Sequence, residues 1–550
     1  MISSRILKRC NKPKLLAATL LLAGAIAPVS SLAELQAPEA PQAQDGYNTG
    51  SVPAVQDQWP TFLGDSSGKR FSRLTQINKD NISTLTLGWA FQTHGAAIKS
   101  TPLMVDGVLY FTVPDHVWAV DARTGARIWQ YDRVVEGDHV GNRGVAFYKG
   151  RLYFGTVDAH LICLNASTGK LVWDIEVADV SFGYYISLAP QIVKDLVIVG
   201  TSGDSADVPH AIHALRWDTG KEVWQTSTTP TIGSPAAKTW SSKKQMLRGG
   251  GSVWMSGTYD PDLNLIYWGT ANPHPVIAGV TREGANLFTD CILALNPDDG
   301  KIAWYFQANP HDTRDWDAVQ TPILFDAPFH GTPRRLLAQA SGNGYYFLLD
   351  RTTGEHLVTE PFVKGNWSKG VDAAGSPIPD PAMEAKPDGT LIKSAGFGGT
   401  DWMLPSFDPQ TNKLYVTARE GYSLWYLALD KNGLPEDHQG GGSVALLSKY
   451  YTTAINYETG KVAWRRPTGQ GFGFPGVLTT AGHLLFTADL DGNLLALDPD
   501  NGDALWHVRA GGLMNSSPMT YSVDGQQFVI TAVDNVIYAW TLPAAASASH

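Results

Sequence analysis

The chain has 550 residues, with 42 Lys and Arg against 52 Asp and Glu and a formal charge of −10. That acidic balance argues against nucleic acid or an anionic membrane surface as a partner. Three cysteines make no disulfide framework, and neither a CxxCH haem-attachment motif nor a paired CxxC zinc motif is present.

In chain order, Arg5, Lys8, Arg9, Lys12 and Lys14 precede an apolar run from Leu15 to Ala27 and small residues ending at Ala33. This predicts a secretory signal peptide over 1–33, cut after Ala33, and a periplasmic mature chain, because the run is too short to span a bilayer. Its removal takes away those cations and no acid, so the mature chain is more acidic still. Cys10 lies before the apolar run, where a lipid-modified cysteine would not, and leaves with the leader. Cys163 and Cys291 fall in strand-like segments and are expected in the core. Residues 34–57, rich in Pro, Ala and Gln without periodicity, read as a flexible leader, and 544–550 as a disordered tail.

Between them, over 58–543, one unit keeps returning: a strand, an acidic or amide position, a glycine turn and a second strand ending in Trp. It appears as AVDARTGARIW (Ala119 to Trp129), CLNASTGKLVW (Cys163 to Trp173), ALRWDTGKEVW (Ala214 to Trp224) and ALNPDDGKIAW (Ala294 to Trp304). It returns as LLDRTTGEHL (Leu348 to Leu357), AINYETGKVAW (Ala454 to Trp464) and ALDPDNGDALW (Ala496 to Trp506). The turn glycines suit the positive φ of a tight hairpin. With Trp89 and the late IYAW, these hairpins imply about eight similar units, and a tryptophan that recurs this often must dock between neighbours. A closed ring of four-stranded blades does that and leaves no long open edge, so the fold class is all-β, a single eight-bladed β-propeller with Trp-docking repeats.

One stretch breaks the pattern. Asn309-Pro310-His311-Asp312-Thr313-Arg314-Asp315-Trp316-Asp317 crowds charge between two apolar strands. In extended chain Asp315 and Asp317 would share a face, and carboxylates held that close call for a cation or a proton between them. The alternative at this level is a solvated loop in which Arg314 neutralises one Asp.

The segments WPTFLGDSSGKRFSRLTQIN, GGGSVWMSGTYDPDLNLIYWGTANP, PHDTRDWDAVQTPIL, NGYYFLLDRTTGE and FGGTDW, in this order, resemble the pyrroloquinoline quinone (PQQ) dependent alcohol dehydrogenases of the methanol dehydrogenase type, from Trp59 to Pro543. The resemblance implies an alcohol substrate, PQQ with one hard metal ion, and a soluble cytochrome c as electron acceptor. It makes Asp315 the catalytic base and Asn272, Asp315 and Asp317 metal ligands. Trp254 becomes the floor under the quinone, Arg143 the partner of a cofactor carboxylate, and Ser187, Ser202, Gly203 and Ser252 the polar residues around it. Asp401 stands where the family usually has Asn. Asp317 is similar to the added carboxylate of lanthanide-dependent members, so a lanthanide is favoured with calcium as the alternative.

The chain departs from the family at several positions. Ser205 replaces the usual metal-ligand Glu, for which Asp204 is the substitute, with Asp207 behind it. Gly342 replaces an Arg, Lys99 a Glu that lines the cofactor, and Phe474 a Trp. Gly137-Asp138 stands in place of an adjacent Cys pair. Two other classes compete: a non-catalytic propeller scaffold for protein–protein interaction, which needs none of Asn272, Asp315 and Asp317, and a metal hydrolase, for which the His-rich ligand set is missing.

Overall fold

The computed structural model describes residues 57–135, 141–203, 207–469 and 473–543. The signal peptide, nearly all of the leader, the tail, Gly137-Asp138, Asp204 and Ser205 lie outside the described residues.

Among the described residues, eight blades of four antiparallel strands follow one another along the chain, with tight turns joining most strands within a blade; the first strand of the seventh also pairs in parallel with Phe71–Ser72. In chain order the first five span Leu103–Asp132, Ala146–Glu176, Gln191–Ser227, Thr258–Gln307 and Ile323–Pro361. The sixth is built on Ser406–Asp408, Lys413–Leu427, Gly441–Asn456 and Val462–Pro467, and the seventh on Leu478–Arg509. The eighth takes three strands from Met519–Thr541 and its outer strand, Thr86–Gln92, from the beginning of the fold. Pairing of early with late chain within the eighth blade closes the ring, and each blade is left with only short edges.

The repeated tryptophan performs the docking expected of it. The ring of Trp89 lies against Gly125 and that of Trp129 against Gly169, where an added Cβ would sit 2.6 Å from the indole in both cases. Trp224 meets Gly300, Trp304 meets Gly354 and Trp464 meets Gly502 in the same way. These turn glycines all have positive φ, so the position must be glycine both for its backbone and for the indole above it. Each indole N–H then finds a carbonyl of the next turn: Trp129 on Ala166 at 2.9 Å, Trp224 on Pro297 at 2.7 Å and Trp464 on Pro499 at 3.0 Å. Where the fifth blade has Val358 instead of Trp, Gly460 rests on Tyr346, Val358 and Glu360. Cys163 and Cys291 are free and fully buried, as expected of small core residues.

Two insertions stand on this ring. Of the long strands of the sixth blade, Lys413–Leu427 pairs with Thr390–Ile392 at its far end, and the segment from 362 to 405 carries a small two-stranded sheet at Ser368–Val371 and Pro377–Pro379. Helix is confined to short turns among the described residues, the longest being Lys243–Leu247, and no helix there is long and apolar enough to cross a membrane.

Candidate active site

A cavity of about 460 Å³ is lined by loops of several blades. It gathers Lys99, Arg143, Ser187, Gly203, Ser252, Trp254, Asn272, Asp315, Asp317 and Asp401, which stand far apart in the sequence. Of the described candidates Ser202 and Asp207 stay out of the lining; Ser202 is fully buried, and its backbone pairs with Tyr185.

Trp254 and Asn272 reach the wall through the glycine run before the tryptophan. Gly249, Gly250 and Gly251 all take positive φ, and the Gly251 N–H donates to the Asn272 carbonyl at 2.8 Å. A side chain on Gly250 would press into that same backbone, so only glycine lets the two segments lie together. Both then meet Asp317: the indole N–H of Trp254 donates to Asp317 Oδ2 at 2.7 Å, and the Asn272 N–H to Asp317 Oδ1 at 2.9 Å. The Asn272 amide nitrogen donates to Pro273 O at 3.2 Å, which leaves its oxygen available as a ligand.

The acidic loop is not the extended strand that its alternation suggested. His311, Asp315 and Asp317 have φ of 55°, 57° and 45°, a left-handed conformation that Asp tolerates better than most residues. The loop is wound around buried Asp312, whose carboxylate accepts from the backbone N–H groups of Arg314 and Trp316, both at 3.3 Å, and from the Asn309 amide. Asp312 is thus the turn carboxylate. Arg314 neutralises neither cavity carboxylate; it is spent on Glu384, at 3.2 Å, and on the Met383 carbonyl. Trp316 packs edge-on against Trp367 at 5.0 Å, so the segment following the fifth blade braces the loop. Asp315 stands exposed in the cavity while Asp317 is half-buried. Burial first, and Asp315 second, push the Asp317 carboxyl well above the ordinary carboxylate range. This is the response of crowded carboxylates that a cation would relieve.

The other end is basic. The Arg143 guanidinium sits 4.8 Å above the Trp254 ring and 5.4 Å from that of Trp402, and donates to Ser187 Oγ at 2.8 Å. Lys99 Nζ lies 5.7 Å over Trp402. Burial, then Arg143, draw the Lys99 pKa down, while Asp401 opposes them. Burial raises the pKa of Asp401, with Arg419 and Arg143 opposing. The cavity is therefore polarised, and Trp254 joins its ends with an N–H on the acidic side and a face under a cation.

Sequence reasoning missed Trp402, Tyr185, His274 and Arg419. Trp402 carried a signal, since it follows Asp401 directly in the FGGTDW segment. Gly342, read from the sequence as a lost arginine, has a steric reason: any Cβ there would collide with the Trp316 carbonyl. Asp207 pairs with Arg248 at 2.6 Å. Outside the cavity, His483, Asp498 and Asp500 bring three ligand atoms together, but Lys79 holds Asp498 at 2.8 Å and Lys413 approaches Asp500 at 3.5 Å.

Comparison with known proteins gives this geometry a context. Residues 59–365 and 450–529 match the family model "PQQ: Glucose/ethanol/alcohol dehydrogenase, beta-propeller domain". The quinoprotein alcohol dehydrogenase PedH of Pseudomonas putida is 36% identical, over 86% of this chain and 84% of its own length. The quinohemoprotein alcohol dehydrogenase of Comamonas testosteroni is 35% identical, over 94% of this chain and 78% of its own. Among solved structures, the Comamonas testosteroni quinohemoprotein superposes with a TM-score of 0.84 at 32% identity, covering 90% of this chain and 82% of that one. A europium-containing methanol dehydrogenase superposes with 0.81 at 28% identity, covering 89% and 98%.

Proposed function

The chain belongs to the PQQ-dependent alcohol dehydrogenase family and oxidises alcohols with that quinone, and from this premise we propose an exported enzyme that uses a lanthanide ion and passes electrons singly to a soluble cytochrome c. The observation that carries the reading is the double tie of Trp254, whose N–H is held by Asp317 while its face lies under Arg143.

The donor set fits the group. An indole face suits a planar quinone, two cations suit its carboxylates, and a crowded acidic pair suits a hard cation. When bound, PQQ supplies the two-electron acceptor that the side chains lack, with its carbonyl polarised by the neighbouring metal. The protein's part is positional and acid–base. Trp254 offers the stacking face, Arg143 and Lys99 hold carboxylates, and Ser187 fixes Arg143. Asn272 and Asp317 would hold the metal with Asp315, and Asp204 is the further ligand proposed from the sequence. Asp315, open to the cavity, takes the hydroxyl proton of the alcohol on a carboxylate oxygen. Trp402 and Phe474, stacked at 5.0 Å, form an apolar wall for the carbon chain and suit an alcohol bulkier than methanol.

Asp317 supports the lanthanide, because a trivalent ion is better neutralised by an added carboxylate. The leader pattern of residues 1–33 supports export. An acidic enzyme suits a basic cytochrome. The test is dye-linked oxidation of a panel of primary and secondary alcohols by apo-protein given PQQ with calcium, with a light lanthanide, or with neither, repeated with soluble cytochrome c as acceptor. Turnover with the lanthanide alone is the expected result; turnover with calcium alone refutes the metal assignment, and turnover confined to one- and two-carbon alcohols refutes the bulkier substrate.

A further inference from the structure

A second cavity, of about 520 Å³, lies between the outer strands of the fifth and sixth blades and the segment that follows the fifth, and it shares no lining residue with the active cavity. It stands at the junction where blade docking differs. Among the described residues the outer strand of every other blade carries a tryptophan, and His356–Pro361 of the fifth carries none.

The charge of this cavity runs against that of the chain. Lys364, Lys393, Lys461 and Arg465 line it, with Glu360 as the carboxylate of the lining. Arg465 is spent on Glu420, at 2.6 Å, and on the Phe362 carbonyl. The three ammonium groups have no hydrogen bond or ion pair among the described residues, so three cations answer one anion in a chain whose formal charge is −10. Cations gathered in this way repel one another until an anion comes between them.

The backbone beneath the lysines is tied down. The Lys364 N–H donates to Glu420 Oε1 at 3.0 Å, the Lys393 N–H to Asn366 Oδ1 at 2.8 Å, and the Lys461 carbonyl accepts from the Asn456 N–H at 2.9 Å. Groups already anchored lose less freedom when they grip a ligand. Tyr345 and Trp367, edge to face at 5.8 Å, add an aromatic wall.

We propose that this cavity binds a small organic dianion, two carboxylates on an apolar body, with the three lysines on the carboxylates and the body against Tyr345 and Trp367. Two negative charges match the excess of the lining, and the volume is that of a small-molecule site. The inference needs neither quinone nor metal, so it stands or falls apart from the reading above.

The test is calorimetric titration of the whole protein with phthalate at low salt, with urea unfolding to confirm that each variant folds. Phthalate should bind saturably, and benzoate and inorganic phosphate each about tenfold more weakly, for want of a second carboxylate or of an apolar body. K393Q, at a half-buried lysine, should weaken phthalate about tenfold, the scale of a lost charged hydrogen bond. K364Q and K461Q, at exposed lysines, should cost about threefold each, and E360Q should bind more tightly than the parent. K99Q should bind as the parent does, which locates the probe outside the active cavity. No saturable heat from the parent, benzoate or phosphate binding as tightly as phthalate, or parental affinity in K364Q/K393Q/K461Q overturns the inference. So does a loss in K99Q as large as that in K393Q, which would put the probe in the active cavity. If the triple variant does not fold, K393Q and E360Q decide by the same measures.

Discussion

At the rim of the ring, Trp129, Trp224 and Trp464 each settle on the glycine turn of the next blade and give the indole N–H to a backbone carbonyl there. At the centre, Trp254 gives the same N–H to the carboxylate of Asp317 and keeps a face toward the cavity. One residue type thus serves two ends, and the partner of its nitrogen tells them apart. A backbone carbonyl does not titrate and carries no net charge, so the rim tryptophans only join blades. A crowded carboxylate does both, which ties Trp254 to the charge of the site.

Substitutions that touch one region and spare the other sharpen this contrast. The largest effect belongs to D315N, which should lower alcohol turnover by roughly 10² to 10⁴, the usual share of a general base, with thermal unfolding unchanged because Asp315 is exposed. W224A is its converse. It empties a buried docking site and should cost about 3–5 kcal/mol in urea unfolding, with KM for the alcohol unaltered. Next comes D317A, which should weaken lanthanide binding about tenfold to a hundredfold in a metal titration while calcium binding falls less. A calcium loss as large as the lanthanide loss would break the distinction drawn for that carboxylate. The smallest effect is on pH. Because burial and Arg143 lower the Lys99 pKa, the ammonium is lost at a less alkaline pH than usual. PQQ affinity should therefore fall as pH rises through that pKa, and the fall should be absent from K99Q.

The rim was legible in the sequence because the same demand recurs from blade to blade, the fifth excepted: a glycine where φ is positive and an indole presses down, and a tryptophan one blade earlier. Trp89 and the late IYAW counted toward the eight units in the sequence, and the structure adds that they lie in paired strands of the eighth blade. The cavity is built once, from loops with no repeat, so Asn272, Trp254 and Arg143 were reached through family motifs rather than periodicity. Local pattern failed at Asp315 and Asp317, where alternation suggested extended chain and the Asp312 carboxylate instead winds a left-handed loop. Arg419 left no signal, since an arginine in a strand reads as a solvated position. Only the tertiary structure shows it sealed behind Phe397 and Phe474 against Asp401.

The measurement that bears most directly on this account is a crystal structure of the protein grown with PQQ and a lanthanide, with the metal located by its anomalous scattering. The account predicts a single strong peak among Asn272, Asp315 and Asp317, with the quinone lying on the Trp254 ring and its carboxylates toward Arg143 and Lys99. A peak at His483, Asp498 and Asp500 with none in the cavity, or a quinone bound away from Trp254, would contradict it.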